Sequence, residues 1–254
     1  MGQPAALAFI IKTMINFFRR IRKKLPEDNK PFKYLRYAIG EVILIVFGIL
    51  IALAINNWNE HRRDRIKERG ILMEIAESLE INTKALIESI AVSKRNIEER
   101  SFYLALVQNR SPYNDSLQVH FRQMGLGFAR TTISKSGYEM LKNEGFDLLE
   151  SGPLKKELLN LFEVTFPGLE SQESNSTLRL LDEEVLIYQR RNFKATEMGR
   201  IPLDYEELLN DHYFHEIIRY FRGREIMLIN SKQKALEVNQ RVLKLIHVKL
   251  QEDT

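Results

Sequence analysis

Along most of the chain, apolar residues recur at spacings of three, four and seven, the period of a helix with one buried face. The exception is residues 37–58, "YAIGEVILIVFGILIALAINNW", where apolar side chains occupy every face and Glu41 is the single charge. A helix of that length rises roughly 33 Å, enough for the ~30 Å hydrocarbon core of a bilayer. Downstream, Leu72, Ile75, Leu79, Leu86, Ile90, Ile97 and Leu104 mark one stripe. It predicts a helix that continues from the apolar stretch to about Gln108, with Gly70 as its weak point. "NRSPYND" (residues 109–115) ends that helix, a short helix over about 115–124 follows, and "GLGFARTT" predicts a loop. Ser134 or Ser136 is placed to cap the next helix, which carries Tyr138, Met140 and Leu141 and stops at Gly145. Ser151 or Gly152 caps another, with Pro153 at its favoured first position; Pro167 should kink or split it before "STLRLLDEEVLIYQRR" resumes the period. After the connection "ATEMGRIPLDYEE", the last helix, over about 211–250, repeats Ile229, Leu236, Leu243 and Leu250 every seven residues. Phe221, Leu228 and Ile246 extend this into a coiled-coil-like seam. No segment shows two-residue alternation with turn signals. The fold class is therefore all-α: long antiparallel helices in a bundle, the first and last paired, with short helices between them.

The apolar stretch lies too late and runs too long for a signal-peptide core, so it reads as one retained transmembrane helix. Tyr37 and Trp58 bracket it as interface anchors, with Tyr34 just upstream. Nine Lys or Arg precede it, against Arg62, Arg63, Arg65, Lys67 and Arg69 behind it. That asymmetry places the N-terminus in the cytoplasm and residues 59 to 254 outside it. Glu41 sits one turn inside the span, from where it can reach back toward headgroups. It shares a stripe with the small residues Gly48 and Ala52, which would let a second helix approach closely and so form a homo-oligomer face. Upstream, "FIIKTMINFFRRIRKKL" predicts a basic amphipathic helix on an anionic lipid surface, ended by Pro26 and Pro31. Met14 offers a second start for this arm. The expected organisation is thus an arm at 1–36, a span at 37–58 and an extracytoplasmic helical domain at 59–254.

Composition narrows the chemistry. A chain with 44% hydrophobic and 28% charged residues but only 12 Gly and 7 Pro is a folded, helix-rich one. With no Cys, disulfides, thiol catalysis and zinc knuckles are excluded. The net charge of +4 is concentrated in the N-terminal arm, which argues against nucleic acid as a partner of the whole chain. In "DHYFHE", His212 and His215 stand three apart on a helix and are the only metal candidates, a weak pair without a third ligand in sight. "GLGFAR" lacks the strand, third glycine and Lys-Ser/Thr of a phosphate loop. Ser151 in "ESGPL" has no nucleophile-elbow setting. Arg190, Arg191, Arg219, Arg222 and Arg224 beside Tyr188, Phe193, Tyr220 and Phe221 read as a helix end with aromatics inward and arginines in water. No catalytic residue, cofactor site or enzymatic activity is indicated.

"KYLRYAIGEVILIVFGILIALAINNWNEHRR" resembles the N-terminal signature of a family of small single-pass membrane proteins from Bacteroidota, a domain of unknown function. "SKSGYEMLKNEGFDLLESGPLKKELLNLFE" is similar to that family's second recurrent segment. The resemblance runs from about Met14 to the C-terminus and implies a membrane anchor with a helical domain on the far side. The function expected is that of a membrane-anchored interaction or accessory protein, self-associating or bound to another membrane or periplasmic protein. The alternative is an extracytoplasmic ligand-sensing bundle that signals through a partner.

Overall fold

The computed structural model describes residues 30–125, 127–149, 152–174 and 176–252, with side chains from Ala38 onward except at 176–182. The expected amphipathic arm, Met14, Pro26 and the capping role of Ser151 lie outside these residues. The chain divides into two units, Met1–Arg62 and Arg63–Thr254. The described residues are mostly helical, in keeping with an all-α class.

Helix α1 is Lys30–Gln108. It takes in Pro31, expected to lie ahead of it, because a proline in the first turn forfeits no intrahelical donor. In the first unit, the large apolar side chains between Ile39 and Trp58 are exposed, and none of the most apolar eighteen-residue window is buried. The core helix of a soluble domain would be covered by its own chain; this stretch is not.

The second unit continues α1 and adds α2 (Leu117–Gln123), α3 (Ser136–Glu144), a 3₁₀ turn (Phe146–Leu148), α4 (Pro153–Leu159), a π turn (Asn160–Thr165), α5 (Phe166–Glu173), α6 (Ser176–Asn192), strands β1 (Phe193–Ala195) and β2 (Arg200–Pro202), α7 (Tyr205–Asn210) and α8 (His212–Glu252). Local chemistry explains several boundaries. Asp204 caps α7 by accepting from Glu207 N at 2.9 Å, and Asp211 caps α8 by accepting from Phe214 N at 3.0 Å. Gly145 closes α3 at φ 102°, where a Cβ would be strained. Pro167 has no N–H to return to the preceding turn, and the π turn immediately before it widens the helix to accommodate that loss.

Two expectations need correction. Neither Ser134 nor Ser136 caps α3; Lys135 holds the cap position without a side-chain bond, and both serines are engaged elsewhere. The connection "ATEMGRIPLDYEE" contains a small antiparallel hairpin, Lys194 facing Ile201, closed by Thr196 N to Gly199 O at 2.9 Å. Three residues per strand are too few for alternation to show in the sequence.

Two hydrophobic clusters form the core. One gathers α1 from Ile71 to Leu86 with α3, α4, the π turn, α5 and the C-terminal half of α8. The other joins the end of α1 (Tyr103, Leu106) to α2, the hairpin, α7 and the first turns of α8. Each fully buried Leu, Ile or Phe contributes about 1.5–3 kcal/mol. Hydrogen bonds climb α1 as they descend α8: Leu79 O with Asn239 Nδ2, Ser93 with Lys232, Arg100 with Glu225. The two long helices are therefore antiparallel neighbours.

The face that α8 buries is not the one its leucines suggest. Ile218, Glu225, Lys232, Asn239 and Ile246, seven apart, are buried, as are Phe221, Leu228, Ala235 and Val242 between them. Leu236, Leu243 and Leu250 only flank the core. On α1 the buried line likewise leaves Ile97 and Leu104 at its edge and runs through Ser93, Asn96, Arg100 and Tyr103.

Candidate functional site

Between the two apolar clusters lies a layer of buried polar side chains, the feature of the second unit least accounted for by core packing. Arg100 and Glu225 are both fully buried (0% exposed) and pair at 2.9 Å through Nη1 and Oε2. Arg100 Nε donates to Met124 O at 3.3 Å. The guanidinium carbon lies 5.4 Å from the Phe128 ring centre and 5.1 Å from that of Phe221, and these two rings stack on each other at 4.8 Å. Among the described residues, Glu225 Oε1 is buried without a hydrogen-bond partner. One heptad further along α8, Lys232 Nζ donates to Ala129 O at 2.6 Å and Ser93 Oγ at 3.0 Å and lies 3.6 Å from Glu173 Oε1. Glu173 in turn accepts from Thr131 N at 2.8 Å and Thr131 Oγ1 at 2.9 Å.

The sequence explains why these groups are inside. Residues 127–135 run antiparallel to α1 as irregular chain, whose backbone groups need partners once water is excluded. Polar residues on the buried line of α1 supply them. Asn96 Nδ2 donates to Gly127 O at 3.2 Å, and Ser89 Oγ lies 3.0 Å from Thr131 Oγ1. Asn82 pairs with both the N (2.7 Å) and the O (2.9 Å) of Ser134. Ser78 Oγ lies 2.9 Å from Ser136 Oγ and accepts from Gly137 N at 3.4 Å. The strap ends against α1 at Gly137, where an added Cβ would fall 2.4 Å from Ile75 N. Only glycine fits.

Electrostatically the layer is balanced, with two cations and two carboxylates. Burial lowers the pKa of Lys232, and the carboxylates of Glu173 and Glu225 oppose that effect. An ammonium with three acceptors around it is a structural cation rather than a nucleophile. Nearby, burial raises Tyr103 and Tyr188; the latter also donates to Asp211 Oδ2 at 2.6 Å. The Tyr103 hydroxyl has no hydrogen-bond partner among the described residues.

His212 and His215 do not converge on a ligand. Their ring centres stand 6.1 Å apart, and His215 is a buried core side chain, its Nε2 2.8 Å from Leu208 O and its ring 5.8 Å from Tyr103. It is neither exposed nor a cap. Among the described residues, no group of three or more His, Cys, Asp or Glu is placed to hold a metal. Glu41, Gly48 and Ala52 are exposed along α1, and nothing lies within 4 Å of a Cβ built on Gly48. Trp58 is exposed in the same helix; Tyr37 belongs to it, though its side chain is outside those described. Tyr188, Phe193 and Phe221 pack inward as expected, Tyr220 stays outside, and Arg219 pairs with Glu216 on the surface. The sequence reading missed Arg100, Glu173, Glu225 and Lys232. A signal existed: on α8 the polar residues Glu225, Lys232 and Asn239 recur every seven positions between Ile218 and Ile246.

The chain matches no family model, no curated protein and no solved structure.

Proposed function

We propose that this chain is a single-pass protein of the cytoplasmic membrane, its N-terminus cytoplasmic and its helical domain periplasmic, acting as an interaction or accessory protein. The reading is supported above all by the apolar stretch of α1, which is long enough to span a bilayer and is left exposed among the described residues. Water would leave that surface unstable; lipid would not. The charge asymmetry of its flanks supports the orientation. Membership in the Bacteroidota family of single-pass membrane proteins is proposed on the residues of the span itself. The heptad spacing of the two long helices supports a coiled-coil-like bundle. The exposed Gly48 and Ala52, four residues apart, support self-association through the span. A buried, charge-balanced polar layer suits a scaffold that binds through its outer surface better than it suits catalysis.

Fractionation tests this directly. The protein is expected to stay with membranes through alkaline carbonate and to be released by detergent, and a phosphatase reporter fused after Trp58 is expected to be active. Recovery in the soluble fraction, or a fusion active only as a cytoplasmic reporter, refutes the proposal. Crosslinking in intact cells with mass spectrometry then identifies the partner, whether a second copy or another envelope protein.

A further inference from the structure

The buried ions of the second unit sit at matched heptad positions on two antiparallel helices. On α1 the line Leu72, Leu79, Leu86, Ser93, Arg100 is fully buried, and on α8 so is the line Ile218, Glu225, Lys232, Asn239, Ile246. Arg100 meets Glu225 at 2.9 Å, and Ser93, one heptad earlier, meets Lys232, one heptad later, at 3.0 Å. Apolar residues at such positions tolerate a slip of one heptad, because one aliphatic side chain replaces another. Ions do not. Sliding α8 one way sets Arg100 opposite Lys232; sliding it the other way sets Arg100 opposite Ile218 and Lys232 opposite Leu86. Either alignment buries charge without its counterion, whereas the observed one neutralises every ion.

We propose that Arg100, Glu225 and Lys232 form a register lock that selects one alignment of α1 and α8 among heptad-related alternatives. The lock acts through specificity. The unpartnered Glu225 Oε1 and the full desolvation of both members of the Arg100–Glu225 pair mark an arrangement that an apolar layer could replace without losing the bundle.

The chain contains no cysteine, so a label pair can be introduced without background. Spin labels on the exposed Glu88 and Gln233 of the full chain in detergent report the alignment by double electron–electron resonance. A one-heptad slip moves the helices by about 10 Å. The wild-type background is expected to give one narrow distance. With Arg100→Met, Glu225→Leu and Lys232→Met combined, the distribution is expected to broaden and gain a population displaced by that amount. The charge-exchanged pair Arg100→Glu with Glu225→Arg, which keeps the ions but reverses them, is expected to retain the single wild-type distance that Glu225→Arg alone loses. A narrow, unshifted distance in the apolar variant overturns the proposal. So does a scattered distribution in the exchanged pair, which also decides the matter where the apolar variant fails to fold.

Discussion

At the scale of single residues, the second unit separates positions where an atom is missing for a reason from positions where one is spare. A Cβ on Gly137 would meet backbone atoms of α1 at 2.4–2.7 Å, and backbone cannot swing aside as the end of a side chain can. Gly137→Ala should therefore lower unfolding stability by about 2 kcal/mol or more. Gly70→Ala, with nothing within 4 Å and a helical backbone, should raise it by roughly 0.5–1 kcal/mol. Denaturant midpoints for the two variants check the pair, and equal signs would contradict the close approach. Tyr103 is the opposite case. Its hydroxyl is buried with no partner, so Tyr103→Phe removes a desolvated group and keeps the ring contacts with Phe214 and His215. The expected change is neutral to about 1–2 kcal/mol stabilising. A loss of that size would mean that the hydroxyl is satisfied after all.

At the scale of elements, the question is which stripe of a helix is the seam. The heptad Ile229, Leu236, Leu243, Leu250 is the leucine-rich line on α8, yet its leucines only border the core. The central line holds Glu225, Lys232 and Asn239, and the line beside it holds the small residues Ala235 and Val242. Ile246→Ala, on the central line, should cost about 2–4 kcal/mol, and Leu243→Ala about 1 kcal/mol or less. If Leu243 proved the more costly, the leucine line would be the seam. This contrast also marks how far the sequence could be read. The long helices, the break near 109–115, the stop at Gly145, the interruption of the helix at Pro167 and the unburied apolar stretch follow from period and turn chemistry alone. The seam does not, because hydrophobicity ranks lines by their own residues, whereas burial on α8 is decided by what α1 and the strap present to it. Asn82 and Asn96 are inside because Ser134 and Gly127 bring backbone groups that need partners, a fact held by the partner segment and not by the helix. The partner of His215, Leu208 O, likewise belongs to another element, α7.

At the scale of the whole molecule, the first unit exposes its apolar side chains and the second buries them, so different measurements address them. In the first, Gly48→Leu with Ala52→Leu would fill the small-residue face on which self-association is proposed, and crosslinked dimer in membranes should fall several-fold while membrane retention is unchanged. In the second, alkaline pH probes the core through its tyrosines. Burial raises the pKa values of Tyr103, Tyr138 and Tyr188, so the fold keeps these protons where the unfolded chain, with phenols near ~10, releases them. A raised folded value contributes stability that is intact below the unfolded pKa and lost as pH climbs past it. Lys232 has the opposite sign. Its lowered value means the folded state binds fewer protons, so its burial penalty eases as pH rises toward the ordinary lysine range. Three phenols set against one ammonium should leave a net loss above about pH 10, after a plateau at neutral to mildly alkaline pH. Denaturant midpoints across that range, read beside phenolate absorbance, should fall as the buried tyrosines ionise cooperatively with unfolding. Tyr103→Phe removes one of the three and should make the decline shallower. A decline equally steep without Tyr103 would place the alkaline sensitivity elsewhere in the chain.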